Sequence, residues 1–161
     1  MGLTNQQKEW LLLPKALPTS THGDNLRKIL PRTQWDKIRK ATYTRANHKC
    51  ELCGGKGTRH PVEAHELWYF DMENKIQYLE RLVALCPNCH RIQHALLLKI
   101  QDDKGFINAQ MTINHYNKLT GNNVNYYQFF ASATEVFDVF DGIMWDVIVD
   151  KTKDEILLSI M

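Results

Sequence analysis

The chain has 161 residues, 43% of them hydrophobic and 24% charged, the make-up of one globular domain with enough apolar side chains for a core. No apolar run approaches the roughly 18 residues of a membrane helix, and residues 1–10 are too polar for a secretory signal, so a cytoplasmic protein with no membrane partner is expected. Net charge is only +2, yet residues 1–49 carry ten Lys or Arg against three acids, residues 50–100 six against six, and residues 101–161 four against nine; an anionic partner is expected for one face only.

In chain order, Pro14, Pro18, Thr19, Ser20, Thr21 and Gly23 surround a short apolar stretch, Trp10 to Leu13. Residues 1–30 therefore read as an arm docked on the domain. Thr33-Gln34-Trp35-Asp36 has the form of a capping box, with Pro31 closing the preceding segment, and predicts a helix to about Asn47. Trp35, Ile38 and Thr42 share one stripe of it, while Lys37, Arg39, Lys40 and Arg45 fill the remainder. Lys37, Arg39 and Lys40, with Arg91 further along, are the expected contacts to a phosphate backbone. A merely solvated helix face is the alternative for the first three.

Cysteine occurs only in two pairs of one spacing, Cys50-Glu51-Leu52-Cys53 and Cys86-Pro87-Asn88-Cys89. Under reducing conditions, such pairs bind metal more often than they form disulfides. Four thiolates from two tight turns complete the tetrahedral shell that Zn²⁺ prefers, and Gly54-Gly55 after the first pair suits a turn that needs backbone freedom. A structural zinc on Cys50, Cys53, Cys86 and Cys89 is the expectation.

Between the pairs, Pro61 to Phe70 is strand-forming, Asp71 to Asn74 is a polar turn and Lys75 to Leu79 can pair back as a second strand. After the second pair, Ile92, Leu96 and Ile100 recur every four residues and predict a helix over 90–100. His90 and His94 are four apart and would project from one face of it, where two imidazoles can share an ion. His65, from the hairpin, can supply a third nitrogen.

Downstream, a helix is predicted over 108–120, ending at Gly121, and another over 126–140, ending near Gly142. Tyr127, Phe130, Thr134 and Phe137 form a stripe assigned to the core. Residues 143–149 alternate like a short strand, and 150–161 suit strand or helix. Asp138, Asp141, Asp146, Asp150, Asp154 and Glu155 would repel an anionic partner. This acidic part is expected to face away from it, or to meet a protein partner or a second copy in a homodimer.

The runs C-E-L-C-G-G, V-E-A-H-E-L-W-Y and L-V-A-L-C-P-N-C-H-R-I-Q-H, within residues 50–94, resemble the HNH endonucleases, the ββα-metal nuclease family. The fold class that follows is α+β: a ββα-metal core over 50–100 clamped by a four-Cys zinc knuckle, with a basic arm and helix over 1–49 and a mainly helical acidic extension over 101–161. The resemblance implies one divalent ion at the junction of hairpin and helix and hydrolysis of DNA phosphodiesters by a metal-activated water. Carried onto this chain, His90 and His94 are helix ligands, and the catalytic set is His65, Glu66 and His90. Mg²⁺ or Mn²⁺ is the implied ion, although three imidazoles also suit Ni²⁺ or Zn²⁺.

Two departures stand out. Relatives commonly carry an acid-His or His-His pair where this chain has Ala64-His65-Glu66. Either His65 binds metal and Glu66 is the base, or His65 is the base and Glu63 or Glu66 substitutes as ligand; a carboxylate orienting a ligand imidazole is the alternative role for Glu66. Arg81 stands where an Asn commonly braces the loop, leaving Asn74 as a substitute brace and Arg81 for a phosphate or a salt bridge to Glu80 or another nearby acid. A non-cleaving, zinc-stabilised DNA-binding module is the alternative function.

Overall fold

A computed structural model describes residues 2–18, 25–57, 61–150 and 152–159 of the chain. It shows a mixed α+β fold in which a small three-stranded sheet, in the order β1-β2-β3, is surrounded by helices. Among the described residues no helix is long and apolar enough to cross a membrane.

The arm contains a helix that its composition concealed. In α1 (Asn5–Leu11), the Thr4 hydroxyl accepts the Gln7 N–H while the Gln7 side chain accepts the Thr4 N–H, a reciprocal cap that satisfies two of the donors every helix start leaves open. Trp10 then packs against Phe70 and Phe140, ring centres 6.0 and 5.6 Å away. A second short helix, α2 (Leu26–Ile29), is capped by the Asn25 side chain. The basic helix α3 spans Arg32–Arg45, but its N-cap is Pro31 and no side chain caps it, so the capping box read at Thr33 does not form. Proline preset the start of this helix instead.

The hairpin pairs β1 (Glu63–Asp71) with β2 (Ile76–Leu85) antiparallel, from Glu63↔Leu85 to Asp71↔Ile76, with an irregularity between Leu67 and Trp68. Its second strand runs six residues further than the sequence suggested, because Leu82 to Leu85 are fully buried and show no alternation to read. At the turn the Asp71 carboxylate accepts the N–H groups of Glu73 and Asn74 and the Asn74 side-chain amide. Asn74 therefore shapes the hairpin tip and braces nothing near the cysteines. The short β3 (Asp146–Ile148) lies parallel to β2 at Ile76–Tyr78.

After the second cysteine pair the predicted single helix is two: α4 (Pro87–Gln93) and α5 (Ala95–Asp103), broken at His94 with φ −124° and ψ 49°. Then follow α6 (Ala109–Thr120), closed by left-handed Gly121 (φ 76°), α7 (Tyr126–Phe140), capped reciprocally by Asn125 and Gln128, and α8 (Glu155–Leu158). The buried stripe of α7 is Phe129, Phe130 and Ala133. Tyr127 is 81% exposed and Thr134 is also exposed, so the stripe assigned to the core was displaced by about one residue around the helix. Asp154 corrects another expectation. It is buried, accepts from the Leu82 and Ile156 N–H groups and pairs with Arg45 at 2.9 Å, binding the acidic tail to the basic helix.

The hairpin separates two environments. Successive residues of a strand point to opposite faces; His65 opposes Val83, and Glu66 opposes Leu82. Val83 packs with Leu67, Leu85 and the cysteines, whereas Leu82 packs with Leu26, Ile38 and Trp68. Helix α3, through Ile38, thus covers the Glu66 face.

Candidate metal centres

Two groups of side chains converge. The first is Cys50, Cys53, Cys86 and Cys89, whose sulfur atoms all lie within 4.8 Å of one another. Each pair turns tightly: Cys53 N–H points at Cys50 Sγ and Cys89 N–H at Cys86 Sγ, both 3.4 Å, while Gly55 N–H reaches Cys53 Sγ at 3.4 Å. Gly54, at φ 77°, makes the first turn possible. These N–H donors fit sulfur that carries negative charge. So does the behaviour of the thiols by themselves. Hydrogen bonds from Cys86 and Cys89 hold Cys50 far below the usual thiol range, while sharing with Cys50 pushes Cys86 up to about 12 and raises Cys89 as well. Crowded thiols ionise one at a time, and a bound cation is what lets four thiolates coexist. The four cysteines could hold a structural metal ion.

Two neighbours complete this group. His115, on α6, places Nε2 3.2 Å from Cys89 Sγ. Glu51, between the first two cysteines, accepts the Ala84 N–H at 2.8 Å and pairs with Arg81 at 2.7 Å. Arg81 is thus the brace between knuckle and β2, and its acid is Glu51.

The second group is His65, His90 and His94, whose nitrogen atoms also lie within 4.8 Å of one another. Their ring centres form a near-equilateral triangle with sides of 5.2, 5.3 and 4.9 Å. His65 arrives from β1, His90 from α4 and His94 from the break after it. His65 is 7% exposed and its Nδ1 has no hydrogen-bond partner among the described residues, an arrangement that buried polar atoms generally avoid. Burial, then the positive charge of His90, His94 and Lys15, holds His65 well below its usual range, so it is a neutral imidazole, the form that binds metal. His90 Nδ1 lies 2.5 Å from Glu63 Oε2. A carboxylate only accepts, so Nδ1 carries the proton of this contact and Nε2 is the nitrogen left to face an ion. An unpaired buried nitrogen and three converging imidazoles fit a transition-metal ion of borderline softness.

The remaining expected site residues are placed elsewhere. Glu66 is not in the histidine group: its Oε1 accepts the Leu26 N–H at 3.0 Å on the other face of the hairpin, and burial raises its carboxyl above the usual range. Lys37 and Lys40 are exposed on α3, and Arg39 pairs with Asp36 at 2.8 Å. These three ride on the helix that covers the Glu66 face. Arg91, beside His90, is half-buried and reaches Asn88 at 3.4 Å; of the four basic residues it alone is on an element that carries a histidine.

Sequence reading missed two groups that hold the histidines, Lys15 and Gln93. Glu63 figures there only as a substitute ligand; the structure shows it paired with His90 Nδ1, two residues before His65 and so on the same face. Lys15 is buried, with Nζ 2.6 Å from Gln93 Oε1, and Gln93 in turn donates to the carbonyls of Leu11 and Cys89. An apolar groove of about 500 Å³ lies beside α1, lined by Trp10, Trp68, Tyr69 and Phe70 and by none of the three histidines. A cavity of only about 20 Å³ adjoins His65, Glu66 and Lys15.

Compared with family models, curated proteins and solved structures, the chain matches none of them.

Proposed function

We propose that the protein is a metal-dependent endonuclease of the HNH type, hydrolysing DNA phosphodiesters, with a ββα-metal core made by β1, β2 and α4. The observation that carries this reading is the convergence of His65, His90 and His94 from two elements onto one point, separate from the four-cysteine group. Cys50, Cys53, Cys86 and Cys89 hold Zn²⁺ and fix the two knuckles against β2 and α4. The histidine group holds the second ion, Mg²⁺ or Mn²⁺ in the cell, with Ni²⁺ or Zn²⁺ better matched to the donor set. That ion, when bound, supplies an acidic water and positive charge against the phosphate oxygens.

The residues of the chain do the rest. Glu63 orients His90 through Nδ1, and Arg91 lies beside His90 to receive a phosphate. Glu66 holds the start of α2 through Leu26, which leaves it a structural acceptor. Two divisions of labour fit these positions: His65 as third ligand, with the proton of the metal-acidified water passing to solvent, or His65 as base with His90 and His94 as ligands. Metal content separates them, since His65→Ala loses the second ion in the first case and keeps it in the second.

The decisive experiment is incubation of supercoiled plasmid with the protein and Mg²⁺, Mn²⁺, Ni²⁺ or Zn²⁺. Metal-dependent nicking that His94→Ala abolishes is the expected result; retarded migration without nicking would identify a binding module instead. The position of Glu66, away from the imidazoles, is what favours that second reading.

A further inference from the structure

We propose that Lys15, in the N-terminal arm, is a positioning residue for the histidine group. It clamps the break at His94 across which the third imidazole reaches the other two. This rests on reading the three histidines as a metal site.

A helix that continued through residue 94 would satisfy its own main chain. Here it stops at Gln93 and restarts at Ala95, which strands a carbonyl on one side and an N–H on the other. Both are taken by one distant residue. Lys15 N–H donates to the Ile92 carbonyl at 3.0 Å, and the Lys15 carbonyl accepts the Ala95 N–H at 2.8 Å. The arm thus enters the helix as a strut. The His94 side chain makes no capping bond, and the helix closes itself there only through the His94 N–H to the Arg91 carbonyl.

The Lys15 side chain locks the strut. Its Nζ is 2.6 Å from Gln93 Oε1 and 4.8 Å from the centre of the Trp10 ring, and Gln93 donates to the Leu11 carbonyl, also in the arm, and to the Cys89 carbonyl. One amide, 2% exposed, therefore ties together arm, sulfur group and histidine helix. A buried ammonium is an expensive filler of space, and Met or Leu would occupy it at lower cost. The arrangement makes sense if the lysine sets geometry: it pins the last turn of α4 between His90 and His94.

The test is titration of the full-length, zinc-loaded protein with Ni²⁺ by calorimetry. Lys15→Met and Gln93→Ala each remove one half of the lock. Ile113→Val, a cavity variant of the buried packing among α5, α6 and α7, serves as a control for stability. Zinc content and circular dichroism at the titration temperature establish that each variant is folded. The parent is expected to bind one Ni²⁺, the two lock variants to bind it at least about tenfold more weakly with zinc content unchanged, and the control to match the parent. Unchanged affinity in a folded Lys15→Met or Gln93→Ala, or equal weakening in Ile113→Val, overturns the positioning role. A parent that takes up no Ni²⁺ overturns the metal site on which it rests.

Discussion

His90 on α4 and Glu63 on β1 are joined through Nδ1 and Oε2 at 2.5 Å, so the helix and the strand that bring the histidines together are themselves held by a histidine's second nitrogen. Breaking this contact should free the ring to rotate. Glu63→Ala is expected to weaken Ni²⁺ binding at the histidine group by about 10- to 100-fold, the usual effect of losing a ligand's hydrogen-bond partner, with Glu63→Gln between it and the parent. Calorimetric titration reads this directly, and equal affinities would show that His90 is oriented by something else.

Glu66 should behave as a structural acceptor. Glu66→Gln keeps an oxygen for the Leu26 N–H and is expected to nick plasmid at close to the parent rate, whereas loss of a general base costs about 10²- to 10⁴-fold. Glu66→Leu leaves that N–H buried and unpaired and should lower stability by about 1–3 kcal/mol in urea unfolding. A Glu66→Gln variant that folds, keeps its second ion and fails to nick would return Glu66 to the base position.

The sulfur group is expected to be a condition of folding. Two of its cysteines begin and continue α4, and all four belong to or border the cluster containing Leu67, Val83 and Leu85. Chelation of zinc should therefore abolish cooperative unfolding of the whole hairpin region, followed by circular dichroism. His115→Ala removes the 3.2 Å neighbour of Cys89 Sγ without touching any of the four cysteines. It is expected to bind zinc about tenfold more weakly in competition with a chromogenic chelator.

Burial holds the Lys15 ammonium well below its usual range. In the unfolded chain this lysine is protonated up to about pH 10.4. Between the lowered native value and that pH the unfolded state binds more protons, so stability contributed here rises with pH across that window. The stability of the parent relative to Lys15→Met should accordingly increase from pH 7 to pH 9.5, by at most about 1.4 kcal/mol per pH unit. Urea midpoints of the two proteins at both values test the sign.

Basic residues should divide by face. Arg91→Ala is expected to weaken plasmid binding and to flatten its salt dependence by about one unit in the log–log slope. Lys37→Ala and Lys40→Ala should change neither much, because α3 packs on Leu82 and Trp68, the face of the hairpin away from His65. Equal losses at all three would mean that DNA wraps the hairpin edge.

Much of the site can be read from short-range spacing. Two residues between cysteines set a knuckle, three between His90 and His94 set a common side, and alternation along β1 puts Glu63 with His65 and sends Glu66 the other way. The last rule was available in the sequence, whereas the family motif by itself sets Glu66 beside the ligand position. Helix ends were equally legible where a side chain made them, as at Asn108, Gly121 and Asn125. They failed at Thr33, where a proline set the start, and at Thr4, where a cap lay inside a stretch dominated by prolines.

By itself, the sequence determined the sulfur pairs, the strand and helix that carry histidines, and the turns between them, because covalent geometry fixes what residues two to four apart can do. Tertiary structure decided the break at His94, the partnership of Lys15 with Gln93 across 78 positions, the burial of Asp154 against Arg45, and the face on which α3 lies. Those outcomes depend on which distant groups satisfy a buried carbonyl, amide or charge, and no local pattern encodes the identity of a partner that packing alone brings near.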